Sequence, residues 1–292
     1  MTKPVELDLP VEGGAKLRVL RFGEGPRAAV AAHGISASAM SFAAVARQLP
    51  PGWSLFALDL RGRGGSDTVP GPYGVDIHAA DICTAAARLG GGRPVALTGH
   101  SMGAYVALRA AARRPELFDR LLLVDGGMPL PLPPGADPDA ILDATLGPSI
   151  ARLSMTYPSD QAYVDFFRAH PGLGPYWNED IEEYVRYDLT GPQGARRSRA
   201  QQEAVRQDGR ELLTSAASFG ADLTGLTVPA RLLYAPKGLM DQTPAMNPPE
   251  LVAHWKAQAP ELAVEEVPDC NHYTIVLGAA AKTVAARLAS PA

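Results

Sequence analysis

Short apolar runs alternate with longer, Ala-rich amphipathic segments along most of the chain. Leu17 to Phe22, Ala28 to Ala32, Leu55 to Leu58, Val95 to Thr98 and Leu121 to Val124 read as strands, and Arg231 to Ala235 and Leu262 to Val267 continue the series. Several of these runs are apolar without alternation, the pattern of strands buried on both faces of a parallel sheet. Between them the periodicity predicts helices over Phe42 to Leu49, Asp76 to Leu89 with Asp76 as N-cap, Met102 to Arg114, Leu251 to Ala259 and Ala279 to Leu288. The third stops before Pro115, because the residue preceding a proline is pushed out of the helical region. Strand–helix alternation of this kind predicts an α/β domain with a mainly parallel sheet.

The alternation breaks between Met128 and Asp222. A Pro-rich lead-in, Met128 to Gly135, is followed by helical patterns over Asp139 to Leu146, Asp160 to His170, Asp180 to Tyr187 and Arg199 to Ser218. No strand-like run appears there, so 128–222 is expected to be an all-helical cap inserted in a core of 1–127 and 223–292.

Composition narrows the class. With 46% hydrophobic and 20% charged residues, a chain of 292 residues can bury a sizeable core. A net charge of −4, with Arg196-Arg197-Ser198-Arg199 the densest basic run, argues against a nucleic-acid partner. Two cysteines, Cys83 and Cys270, suggest no disulfide framework. Met1 to Pro10 lacks the apolar stretch of a secretory leader, and no run reaches the roughly 18 apolar residues of a membrane span. The expectation is a cytoplasmic protein without membrane partner, monomeric or homodimeric, acting on a small molecule. No HExxH or Cys/His cluster points to a metal, and no cofactor is expected.

The strongest local signal is Gly99-His100-Ser101-Met102-Gly103, a G-x-S-x-G nucleophile elbow between a strand and a helix. The serine must sit on a sharp turn that lifts its hydroxyl clear of the sheet. Strand and helix then pass closely, so positions two before and two after it must be small, as Gly99 and Gly103 are. The helix N-terminus points its positive end at the site, where charge develops.

With three further landmarks the chain resembles the α/β-hydrolase superfamily, in its branch of small esterases, C–C hydrolases, haloperoxidase-like enzymes and dehalogenases. These are Ala32-His33-Gly34, Asp59-Leu60-Arg61-Gly62-Arg63-Gly64-Gly65-Ser66 and Asp269-Cys270-Asn271-His272-Tyr273, in the family's order. The resemblance implies a mainly parallel eight-stranded sheet flanked by helices, with the insertion in the place of the family's cap. Asp59 to Ser66 resembles a structural turn whose charges pair locally.

A serine hydroxyl needs a base, and in this fold the order is Ser, acid, His. His272, in a loop after the last strand, is therefore the expected base, while the other five histidines sit in structural motifs, helices or the insertion. The oxyanion needs preorganised N–H donors, expected from Met102 and from Ile35 after His33-Gly34, where Gly34 lets the backbone approach. For the acid, Asp241 in Gly238-Leu239-Met240-Asp241 follows the strand after which the family usually places it, on a loop about two residues longer than common. Asp125, one strand earlier, is the alternative, as in some dehalogenase-like relatives.

Aromatics gather in the insertion: Tyr157, Tyr163, Phe166, Phe167, Tyr176, Trp177, Tyr184 and Tyr187. Most should form the cap's own core. Tyr157 and Trp177, with His33 and Gly34, are the expected substrate contacts. The leading function is hydrolysis of a carboxylic ester, lactone or thioester of a small to medium, partly apolar substrate through Ser101, His272 and Asp241. The same triad supports C–C hydrolysis of ring-cleavage products or cofactor-free perhydrolysis. Dehalogenases and epoxide hydrolases of this fold use an aspartate nucleophile, which Ser101 opposes. A receptor-like or scaffold homologue without turnover is the non-enzymatic alternative.

Overall fold

The computed structural model describes residues 3–130, 132–133 and 135–290, so Pro131 and Pro134 of the Pro-rich lead-in lie outside the described residues. Each apolar run read from the sequence forms a strand, within a few residues at either end. The strands are β1 (Val5–Pro10), β2 (Lys16–Phe22), β3 (Arg27–Ala32), β4 (Trp53–Leu58), β5 (Val95–His100), β6 (Phe118–Val124), β7 (Leu189–Thr190), β8 (Arg197–Ser198), β9 (Ala230–Tyr234) and β10 (Ala263–Glu266). Eight of them form one sheet in the order β1-β2-β4-β3-β5-β6-β9-β10. β1 and β2 run antiparallel at one edge and from β4 onward every pairing is parallel. The sequence reading missed β1, where Val5, Leu7 and Leu9 alternate with acidic residues as in an edge strand with one wet face.

The helices are α1 (Ala43–Gln48), α2 (Val75–Leu89), α3 (Met102–Arg113), α4 (Pro138–Arg152), α5 (Asp160–Arg168), α6 (Glu179–Tyr187), α7 (Gln202–Thr214), α8 (Ala216–Thr224), α9 (Pro249–Gln258), α10 (Thr274–Leu277) and α11 (Ala281–Ala289). Because side chains alternate across a strand, the sheet feeds two cores. Val30, Leu97, Leu121, Leu123 and Leu232 pack with α2 and α3 on one face. Ala29, Ala31, Ala96, Leu122, Val124 and Leu233 pack with α1 and α11 on the other. Strands β4 and β5 are buried along their whole length, which explains their lack of alternation.

Three local expectations change. Asp76 does not cap α2: Gly74, at φ 117°, precedes it, and Asp76 instead pairs with Arg109 and Arg113. The segment read as one helix over Arg199 to Ser218 is two, broken at Ser215. The insertion is not wholly helical, since β7 and β8 form a short antiparallel ladder. Both cysteines are free and buried. No helix among the described residues is long and apolar enough to cross a membrane.

Candidate active site

Ser101 stands between β5 and α3 with φ 57° and ψ −123°, a conformation that costs a non-glycine residue about 1–3 kcal/mol and persists only where its surroundings enforce it. The enforcement is steric. A methyl group on Gly99 would overlap the carbonyl of Gly103, and one on Gly103 would overlap the carbonyl of Ala32. Ser101 N–H donates to Val124 O at 2.9 Å, tying the turn to the end of β6. Ser101 and His272 line the same cavity of about 440 Å³, beneath α4 and α7 of the insertion.

The register of β5 on β6 sets His100 opposite Val124, so the residue after Val124 emerges beside Ser101. That residue is Asp125, 1% exposed and at φ 46°. Its Oδ2 lies 2.7 Å from His272 Nδ1, while Oδ1 accepts from Asn247 Nδ2 (2.9 Å) and Ala235 N–H (3.2 Å). A carboxylate can only accept here, so Nδ1 carries the proton and Nε2 keeps its lone pair for a serine proton.

Asp241, the expected acid, is not the partner of His272. It follows β9 as expected, but its Oδ1 accepts from Tyr176 Oη and Asn271 Nδ2 (both 3.0 Å) and its Oδ2 from Lys237 Nζ (2.9 Å). The longer loop after β9 carries it outward, onto the flank of the His272 loop. Through Asn271, which is fully buried and also donates to Gly172 O (3.0 Å), Asp241 braces that loop from outside.

The expected oxyanion elements converge. Gly34, Ile35 and Met102 all line the cavity, and a methyl group on Gly34 would sit 3.3 Å from Ser101 Cβ. Met102 is the first residue of α3, where the amide has no intrahelical acceptor. His33 corrects an expectation, because it is fully buried, outside the cavity lining, and touches no substrate space. Its Nε2 accepts from Leu60 N–H (3.0 Å) and its Nδ1–H donates to Gly34 O (2.7 Å), so it clamps the loop that carries Ile35. Burial pushes its pKa down to about 3.

Tyr157 and Trp177 are likewise absent from the cavity lining. Tyr157 stacks edge-on with Tyr163 and Phe166 inside the cap, and Trp177 lies under Arg168 with its indole N–H toward Glu182. The insertion reaches the cavity instead through Leu142, Leu146, Ser149, Tyr184, Leu212 and Leu213. From the core come Leu239, Met246, Asn247, Tyr273 and Val276. Asn247 and His100 went unread as site residues. Nothing local marks Asn247. His100 was legible as a buried motif position, but not as the side chain that holds the base loop. Its Nε2–H donates to His272 O (2.8 Å) and the two rings lie 4.7 Å apart. Burial and the neighbouring His272 push the His100 pKa down to about 3, so its ring stays neutral beside His272. Among the described residues no group of three or more His, Cys, Asp or Glu could hold a metal ion.

Comparison with known proteins bears on the fold and the family. A family described as "Alpha/beta hydrolase family" matches residues 29–287. The chain is 42% identical over 113 residues to N-formylmaleamate deformylase of Pseudomonas putida, a stretch covering 38% of this chain and 42% of that protein. It is 32% identical over 115 residues to the lipase LipV of Mycobacterium tuberculosis, covering 39% and 43% respectively. The matches thus span about two fifths of these relatives' lengths. In three dimensions the fold is similar to E-2-(acetamidomethylene)succinate hydrolase, with a TM-score of 0.80 at 21% identity over 98% of this chain and 100% of that one. Sheet order, elbow and a match over nearly the whole length agree, and the chain belongs to the alpha/beta hydrolase family.

Proposed function

We propose that the protein hydrolyses carboxylic esters, or closely related lactones or thioesters, of small to medium uncharged acyl groups through Ser101, His272 and Asp125. The observation that carries this reading is the 2.7 Å contact between His272 Nδ1 and Asp125 Oδ2, with the elbow serine facing the same cavity. His272 Nε2 takes the Ser101 proton as Oγ attacks the carbonyl, and Asp125 stabilises the imidazolium that forms. The amides of Met102 and Ile35 receive the oxyanion. His272 then returns the proton to the leaving alcohol. Water, deprotonated by the same imidazole, releases the acid from the acyl-enzyme.

The lining indicates the substrate class. A cavity of about 440 Å³ suits a small ligand, and leucine is the commonest residue in its walls, joined by methionines and by Tyr105, Tyr184 and Tyr273. Among the described residues its lining holds no Lys, Arg or Glu. Arg152 approaches the Ser36 carbonyl (3.5 Å), but Asp188 neutralises it at 2.9 Å. A substrate carboxylate would be desolvated without a cation to meet it, at a cost of several kcal/mol.

A second reading is cleavage of an amide or C–C bond by the same triad, favoured by the partial likeness to N-formylmaleamate deformylase. That relative's named substrate is an anion, which a lining without Lys or Arg does not suit. The deciding experiment measures turnover over p-nitrophenyl esters, lactones, N-formyl amides and ring-cleavage dienones. Ester or lactone turnover that disappears in Ser101→Ala supports the proposal. Turnover of only amides or dienones selects the second reading. No turnover and no fluorophosphonate labelling of Ser101 removes both.

A further inference from the structure

A buried arginine, aspartate and histidine outside the triad lie where the core loops meet the cap. Arg63, fully buried in the turn after β4, is held at three points. Its Nε–H donates to the carbonyl of Ile35 (3.0 Å), its Nη1 donates to Arg61 O (2.9 Å), and its Nη2 forms an ion pair with Asp208 Oδ2 at 2.7 Å, out of line for a hydrogen bond. Asp208 belongs to α7 of the cap and is itself fully buried. Its Oδ2 also meets His78 Nε2 (3.0 Å) and its Oδ1 accepts from Gly74 N–H (2.7 Å). The charges of this turn therefore do not pair locally, as the sequence suggested. Arg63 spans from the cap to the peptide that carries the candidate oxyanion residue.

A second contact joins the same two elements. Gly209, the next residue on α7, lines the cavity, and a methyl group there would sit 2.5 Å from Leu142 Cδ1 and 3.3 Å from Ile35 Cδ1. Helix α7 thus grips Ile35 at its carbonyl, through Arg63, and at its side chain, through Gly209. The start of α7 is fixed to the turn as well, since Gln201 N–H donates to Gly62 O (2.8 Å) and a methyl group on Gly62 would meet Ala204 Cβ at 2.9 Å. A guanidinium suits this place because its planar fork reaches two carbonyls and a carboxylate from three separate nitrogens, whereas an ammonium must serve all its acceptors from a single point.

We propose that Arg63 and Asp208 are positioning residues that couple the seating of cap helix α7 to the geometry of the oxyanion loop. Arg63 fixes the Ile35–Ser36 peptide, which directly follows the Gly34–Ile35 peptide whose N–H is the candidate oxyanion donor, so this loop is held in place for the oxyanion only while α7 is docked over the cavity. The proposal rests on the serine-hydrolase reading above, and it adds that the cap acts on the chemical step as well as on substrate shape. Misplacing a catalytic group by about 1 Å can cost on the order of 10²-fold in rate.

The test measures the second-order rate of fluorophosphonate labelling of Ser101, which needs no knowledge of the natural substrate, together with amide hydrogen exchange over residues 34–37. The variants are the paired apolar replacement Arg63→Met with Asp208→Leu, which leaves no orphan charge, and Arg63→Lys, which keeps a cation for Asp208 but must meet it and both carbonyls from a single point. The expected result is labelling slowed at least tenfold in both, with faster exchange at 34–37 and unchanged affinity of a non-covalent apolar ligand that fills the cavity. Labelling within threefold of wild type in either folded variant, with unchanged exchange at 34–37, overturns the coupling. If the paired variant does not fold, Arg63→Lys decides alone. Wild-type protein that fails to label refutes the hydrolase reading instead, and the exchange at 34–37 then decides whether α7 controls that loop.

Discussion

His272 Nδ1 and Asp125 Oδ2 lie 2.7 Å apart although 147 residues separate them in the chain. Asp125 is presented from the end of β6, the strand next to the one that leads into Ser101, so the proposed nucleophile and acid are carried by neighbouring strands. Its second oxygen is filled by Asn247 and Ala235, which leaves the first one free to orient the imidazole. Asp125→Asn should therefore lower kcat on the order of 10⁴, because the amide favours the wrong imidazole tautomer. Asp241→Asn should stay within about tenfold, since it weakens contacts to Lys237, Tyr176 and Asn271 outside the imidazole's own partners. Steady-state kinetics on folded protein checks this, and the reverse ranking would return the acid to Asp241.

Ser101→Ala should remove turnover while leaving thermal stability close to wild type or higher. The hydroxyl only faces the cavity, and the strain of about 1–3 kcal/mol belongs to the backbone, which the substitution keeps. Only the roughly 10³–10⁴ acceleration over water supplied by the oxyanion hole and binding should survive. Turnover near the wild-type rate would mean that another residue attacks.

Charge on the acyl group should be heavily penalised. Comparing p-nitrophenyl butyrate with the p-nitrophenyl half-ester of succinate, kcat/KM should favour the uncharged ester by about 10²-fold or more, the cost of an unpaired desolvated carboxylate. Equal values would show that a cation reaches the cavity and would weaken the case built on the lack of Lys and Arg in its lining.

Acid should destabilise the fold through its neutral histidines. His33 and His100 are held at about 3 by burial against a reference of 6.5, so below 6.5 the unfolded chain binds protons that the folded one refuses. Their stabilising effect is complete above pH 6.5 and is lost as pH falls toward 3, at about 1.4 kcal/mol per pH unit for each. Urea titrations between pH 7.5 and 4.5 should show His100→Gln losing less stability than wild type, by roughly 2–3 kcal/mol over that range. Parallel losses in the two proteins would show that His100 does not resist protonation.

The order of strands and helices and the sharp turn at Ser101 are legible in the chain because local sterics encode them. A strand buried on both faces must be apolar throughout, and the elbow tolerates only small residues at 99 and 103, whatever the rest of the molecule does. The acid was not legible, because Asp125 and Asp241 both follow apolar runs that end in turns. Only the adjacency of β5 and β6, and the outward course of the loop after β9, brings one to the imidazole and leaves the other with Lys237 and Tyr176. The cavity wall was hidden in the same way. An aromatic in a cap can turn to its own core, as Tyr157 does, or to the ligand, as Tyr184 does, and composition is identical for both. Arg63 looked like a local charge, yet its carboxylate partner is supplied by a cap helix that only the tertiary fold sets against it. Periodicity and motif report what a residue must be to occupy its own element. Which distant groups it meets is decided by how the elements pack, since burial forces each buried charge to find a partner without specifying where in the chain that partner lies.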